Sequence, residues 1–327
     1  MATYKGIKGY TVQKLSSDPT VEDTVGQVWY NSASNVLKIS IQNVTPVAAW
    51  SAGGSLLNNK QGPGGCGIQG AALCAGGWED SQLTQTEKYN GTSWTEVNDL
   101  NSANSYSGCF GVETAARNAM GQGGSENESY DGTSWSEEAN ASAGRNGPGG
   151  VGTINAGRCY GGSPSSVNNE AWNGTSWSEE NNLNTGREHI GACGTEATAL
   201  AVAGSPPNTS AICEEWNGTS WCEVNNINRG RTSTSGSGLT TAGIVMGGDW
   251  NPPFVTLADQ TETWDGTSWT ETADLTYART HTGSSQNAPS TSTLLFGGNM
   301  APSGSPYNTV CEEFSDPAYS TKTITSS

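Results

Sequence analysis

Between residues 71 and 314 the chain alternates short apolar runs with turn clusters, and one order of positions returns six times. Each unit opens on an apolar strand that closes on small residues: CAGG at 74–77, GQGG at 121–124, CYGG at 159–162, AVAG at 201–204, VMGG at 245–248 and LFGG at 295–298. A polar stretch of variable length follows, then a Glu two residues ahead of an aromatic, at Glu87, Glu128, Glu170, Glu214, Glu262 and Glu312. After the first five come YNGTSW at 89–94, YDGTSW at 130–135, WNGTSW at 172–177 and 216–221, and WDGTSW at 264–269. Asn-Gly or Asp-Gly between strand formers predicts a hairpin tip, because a type I′ turn needs positive φ at both central positions. A second Glu lies two residues past each tip tryptophan, at Glu96, Glu137, Glu179, Glu223 and Glu271. Side chains alternate with period two along a strand, so the aromatic, the Trp and both Glu share one face.

Units of 41 to 50 residues built only from strand and turn signals predict an all-β, six-bladed β-propeller, each unit supplying one four-stranded blade. A blade cannot bury its faces alone. Stacked around an axis, each covers the next, and the ring removes exposed sheet edges. The small doublets are expected close to that axis. Ten residues past each tryptophan stands a cation, Arg145, Arg187, Arg231 and Arg279, with Lys60 after Trp50 and a departure at Asn104 after Trp94. These cations are expected between blades, reaching a hairpin Glu as surface pairs, each worth up to about 1 kcal/mol. Trp50 keeps the tryptophan register without its own Glu-x-aromatic partner, and the last unit has Glu312 and Phe314 without a following tip. Residues 46–52 are therefore expected to complete the last blade beside the C-terminal hairpin, with residues 315–327 contributing to its stability.

Register inside the hairpin has two solutions. A two-residue turn sets Glu87 opposite Trp94, whereas a four-residue loop sets Glu87 opposite Glu96, where like charges repel. The tight turn is the expectation. In ICEEWNGTSWCEV it would put Cys213 opposite Cys222, with Cα atoms about 4.5 Å apart and within disulfide reach.

Composition narrows the function. The chain has 327 residues, 33% hydrophobic, with 44 Gly and 12 Trp. Gly, Asn, Ser and Thr disfavour helices, and regularly placed tryptophans argue against disorder. Net charge is −17, which repels phosphate backbones and makes nucleic-acid binding unexpected. Residues 1–46 carry about +1 and the remainder about −18, the asymmetry of a docking head on a solvated body. No stretch suits a signal peptide or a membrane span, so no membrane insertion is expected. The eight Cys show no CxxC spacing and read as small buried residues.

The candidate chemistry is sparse. His189 and His281 each lie two residues past a repeat Arg, in units that are not adjacent, and a shared metal is not expected. The Asp-Gly pairs lack the spacing of sialidase Asp boxes, and WED at 78–80 and GDW at 248–250 lack a complete calcium loop. No carboxylate pair departs from the repeat, so no catalytic residue, metal or cofactor is assigned. The loops between doublet and Glu vary most, and irregular places in a regular fold are where function sits. Their aromatics, Trp78, Trp250, Phe254 and Tyr307, are the candidate ligand-binding residues, since saccharide rings stack on such platforms.

Gly-Gly, Glu-x-aromatic, Trp and then Arg together resemble the kelch repeat of β-propellers across residues 47–327. The opening MATYKGIKGYTVQ and the segment GQVWYNSASNVLKIS resemble the leaders of virion proteins of tailed, especially marine, bacteriophages. That resemblance implies a non-enzymatic structural protein located in the virion, a tail fibre, appendage or surface protein. Residues 1–46, with a β-hairpin, would serve as an attachment segment to other virion proteins or to further copies of the chain. Residues 47–327 would be the propeller, contacting a host receptor or glycan through its loops. A decoration protein without ligand and a carbohydrate-active enzyme are the alternatives.

Overall fold

The structure is a computed structural model. It describes residues 13–16, 28–41, 48–122, 124–206, 210–250, 256–300, 307–316 and 320–323. The chain forms two compact units, 48–315 and a smaller one of 1–47 with 316–327.

The larger unit is all-β and carries six four-stranded antiparallel blades. Blade 1 runs from its inner to its outer strand as Gly64–Ile68, Ala71–Ala75, Thr86–Tyr89 and Trp94–Val97. Blades 2 to 5 repeat it from Gly108–Val112, Gly149–Thr153, Gly191–Gly194 and Ser235–Leu239. Blade 6 takes three strands, Gly283–Ser284, Ser292–Phe296 and Cys311–Ser315, from one end of the sequence. Its outer strand, Ala49–Ala52, comes from the other, with Trp50 opposite Phe314. Both ends of the propeller thus meet in one sheet, as the tryptophan register implied.

The C-terminal segment goes elsewhere. Ser320–Thr323 pairs with Val36–Ile41 in the smaller unit, so it adds nothing to blade 6. That unit is a four-stranded sheet in which Gln13–Leu15 runs parallel to Val28–Asn31, and Val28–Asn31 forms a hairpin with Val36–Ile41. Asn31 Oδ1 accepts from the N–H groups of Ala33 and Ser34 to shape the turn.

The hairpin tips correct the expected register. Tyr89 faces Trp94 and Glu87 faces Glu96, and the same four-residue loop recurs in blades 2 to 5. Asn90 Oδ1 accepts from Thr92 N and Ser93 N, which fixes the wider loop; Gly91 supplies the positive φ of 90°. The aromatic pair is worth about 0.5–1.5 kcal/mol, with Tyr89 and Trp94 centroids 5.0 Å apart. Charge repulsion does not oppose it. Glu87 is neutralised by buried Lys60, and Glu96 lies in solvent. In consequence Cys213 faces Val224 and Cys222 faces Glu215. Both thiols are free, one buried and one exposed, and the proposed crosslink is absent.

The blades are joined by a ladder whose backbone bonds repeat six times and whose ion pair repeats five times, Asn104 taking the sixth place. The cation lies beside the Glu of the following hairpin: Arg145 by Glu170, Arg187 by Glu214, Arg231 by Glu262 and Arg279 by Glu312, at 2.5–2.9 Å. Lys60 Nζ stands 2.9 Å from Glu87, as an ion pair without aligned hydrogen-bond geometry. These are not surface pairs, for both partners are nearly without solvent exposure. The other carboxylate oxygen accepts a backbone N–H three residues before the cation, as from Asn184 to Glu214 at 2.7 Å. From the cation's own carbonyl a second bond returns to the preceding blade, Gly162 N to Arg187 O and finally Gly298 N to Lys60 O, closing the ring. The doublets therefore serve the blade junctions. The crowding at the axis falls on other glycines: a Cβ on Gly150 would lie 2.8 Å from Gly108 Cα.

Candidate functional site

Two residues past the ladder cation, or past Asn104 in the junction without one, the chain reaches the axis. These six residues are Gly62, Tyr106, Gly147, His189, Ser233 and His281. All six adopt left-handed φ, between 53° and 66°. Their backbones close a ring of six hydrogen bonds: Tyr106 N to Gly62 O, Gly147 N to Tyr106 O, and so on round to Gly62 N to His281 O, at 2.7–3.2 Å. Four of the six are not glycine, and a left-handed residue with a Cβ costs roughly 1–2 kcal/mol. Held strain of this kind marks a functional candidate.

Small and ring-bearing residues alternate around the axis because there is no room for six rings. A Cβ on Gly62 would meet the Tyr106 ring at 2.5 Å, and one on Gly147 would meet His189 Nδ1 at 2.6 Å. Three rings remain, Tyr106, His189 and His281, mutually edge-on with centroids 5.2–5.7 Å apart. They floor a recess of about 100 Å³. Burial lowers the His189 pKa and, with His189 beside it, brings that of His281 to about 3. Burial raises Tyr106 to about 12. The floor is therefore neutral at physiological pH.

Two wider rings surround the floor. The residues just before the axial six, among them Asn146, Glu188 and Thr232, are all polar. They pair with the residues just past the doublets: Gln61 with Trp78, Asn146 with Ser163, Glu188 with Ser205 and Thr232 with Asp249. Several polar atoms of these rings are buried without a partner, including Asn146 Oδ1, Thr232 Oγ1 and Asp249 Oδ1, and so is Thr234 Oγ1 on the recess wall. Burial pushes the Asp249 carboxyl up to about 6.

The sequence-predicted aromatics divide. Trp78 lies half-buried in the outer ring. Tyr307 reaches the same sector, its hydroxyl 3.4 Å from Asp80 Oδ1. Trp250 is not an open platform, because the Arg229 guanidinium covers its ring at 3.3 Å. Phe254 lies outside the described residues. Sequence reasoning missed Tyr106 and Ser233 and separated the two histidines. Their signal was the column two past each cation and past Asn104, Gly-Tyr-Gly-His-Ser-His, since equivalent positions of a closed ring converge whatever their separation along the chain.

The floor resembles a nucleophile–base pair in one respect, Ser233 Oγ lying 3.0 Å from His281 Nε2. The other histidine nitrogen meets the Thr280 hydroxyl at 3.4 Å; among the described residues no carboxylate is paired with this imidazole. A base needs a pKa near the working pH, and burial moves His281 the opposite way. Among the described residues no group of three or more His, Cys, Asp or Glu gathers as metal ligands.

Protein-family models give no match to this chain, and neither do curated proteins. Among solved structures, "Structure of YjhT" is similar with a TM-score of 0.64 at 13% identity, covering 83% of this chain and all of that one. At that identity the likeness concerns the fold, a six-bladed propeller.

Proposed function

We propose that this chain is a non-enzymatic, kelch-like binding propeller of a tailed-phage virion, contacting a host-surface receptor or glycan with its loop face. The smaller unit is the attachment module to other virion proteins or to further copies of the chain. The observation that carries the binding role is the recess of about 100 Å³ at the three neutral axial rings, with unpaired polar atoms on its wall and in the neighbouring ring of polar residues. Its unpaired buried polar atoms are ready for partners, and each left unsatisfied costs about 1–3 kcal/mol. The virion context rests on the sequence resemblance and on the charge contrast between residues 1–46 and the acidic remainder.

The test is a glycan panel and host-cell binding assay on the purified chain, with Trp78→Ala and Tyr307→Ala beside it. Binding that weakens in these variants, at unchanged melting temperature, supports the reading. A wild-type chain that binds neither glycans nor cells favours a decoration protein without ligand. Turnover of any glycan would move the chain to the enzymes. Incorporation into particles after deletion of residues 1–46 would remove the attachment role.

A further inference from the structure

We infer that the axial floor is the subsite for the uncharged end of a saccharide, and that the loop face rejects acidic sugars. This deepens the proposed function and rests on it. The argument joins shape, unpaired polar groups and charge.

Alternation of small and ring residues leaves half-buried faces of Tyr106, His189 and His281 around the recess. Ring faces and edges of this sort suit the apolar face of a sugar. The recess wall includes Thr234, buried and with its Oγ1 unpartnered. Next to the floor, Thr232 Oγ1 can donate or accept, whereas Asn146 Oδ1 and Asp249 Oδ1 only accept when Asp249 is ionised. A hydroxyl group satisfies either kind; a carboxylate or sulfate can only accept.

Charge points the same way. Glu79, Asp80, Glu188 and Asp249 lie on this face. The repeat arginines and Lys60 are buried in their ion pairs, and Arg229, exposed and stacked on Trp250, is one cation against these four carboxylates. Of the remaining cations described in the propeller, Lys88 lies on a hairpin strand and Arg117 and Arg158 are buried. An anionic sugar would therefore meet four carboxylates against the single exposed charge of Arg229, at a cost in affinity and in on-rate.

The experiment is calorimetric titration of the full chain with neutral oligosaccharides and their sialylated or sulfated counterparts, drawn from a broad panel. It includes Tyr106→Gly and His281→Asn, whose new residues accept a left-handed backbone, and Trp78→Ala as a rim control. Expected are binding of a neutral member, weakening of at least about tenfold in both axial variants, a smaller change in the rim control, and melting temperatures at or above wild type. Tighter binding of an acidic member, or axial variants that bind like wild type while Trp78→Ala does not, would overturn the inference and leave glycan binding standing. Absence of binding to any member overturns both.

Discussion

Five blade junctions hold a buried cation against a hairpin carboxylate; the sixth holds Asn104. There the Glu128 carboxylate accepts from Asn101 N and Ser102 N and from the Asn101 amide, at 2.8–3.0 Å. Asn104 turns instead to Asn118 Oδ1 and Met120 O, while Gly77 N still donates to its carbonyl. The backbone part of the ladder thus survives without the cation. In three of the other junctions a guanidinium also gathers two carbonyls of the blade it enters, as Arg187 Nη1 donates to Ala203 O and Ile212 O at 2.7 and 2.6 Å, while Arg145 gathers one, Asn168 O. The cation acts as a clamp on the strand-to-loop transition, and its charge is what the buried Glu requires in return.

Removing one partner from a regular junction should have the largest effect. Arg187→Ala strands Glu214 in the interior and should cost about 3–5 kcal/mol, read as a fall in denaturant midpoint. Asn104→Ala should cost about 1–2 kcal/mol, since it strands no charge. Equal losses would mean that the cations are ordinary packing residues.

Acid should come next. The His281 pKa is depressed in the fold, so the unfolded chain binds a proton first as pH falls below the ordinary histidine range. The resulting stability is full above about pH 6.5 and is lost as pH drops toward 3. His281→Asn should flatten that part of the melting profile; Asn104 variants should not.

Asp249 has the opposite sign for an acid. Its raised pKa means the fold holds the proton more tightly, so stability falls as pH rises from the ordinary carboxylate range through about 6. Asp249→Asn should stabilise the chain at pH 7 by about 1 kcal/mol, less than full burial implies because the group is partly solvated. Thermal melts at pH 4 and 7 separate this from a pH-independent gain.

The smallest effect concerns the cysteines. Mass mapping under non-reducing conditions should find Cys213 and Cys222 unlinked, and Cys222→Ser should leave the melting temperature unchanged.

Much of the fold could be read from the residues because the repeat states it in several independent ways: hairpin tips, tryptophan spacing, and the Trp50–Phe314 closure. The register could not, because side chains decide it. Asn90 Oδ1 capping two N–H groups, and aromatic pairing at Tyr89 and Trp94, outweigh a carboxylate repulsion that the buried Lys60–Glu87 ion pair offsets. Exposure of the ladder was likewise hidden, since nothing in a spacing of ten residues says whether Arg187 and Glu214 meet in water or between blades. The axial site was half visible. His189 and His281 stood out by position, yet their separation along the chain concealed that closure brings their rings to 5.3 Å.

The six-membered hydrogen-bond circuit at the centre carries a rule of parity. Its occupants succeed one another as small, bulky, small, bulky, a sequence that returns to its start only with an even count of repeats. Adding or deleting one repeat would place two bulky neighbours side by side or leave two gaps together, whereas gaining or losing a pair would preserve the order. The number of blades in this molecule is therefore tied to the chemistry of its middle as well as to the packing of its sheets.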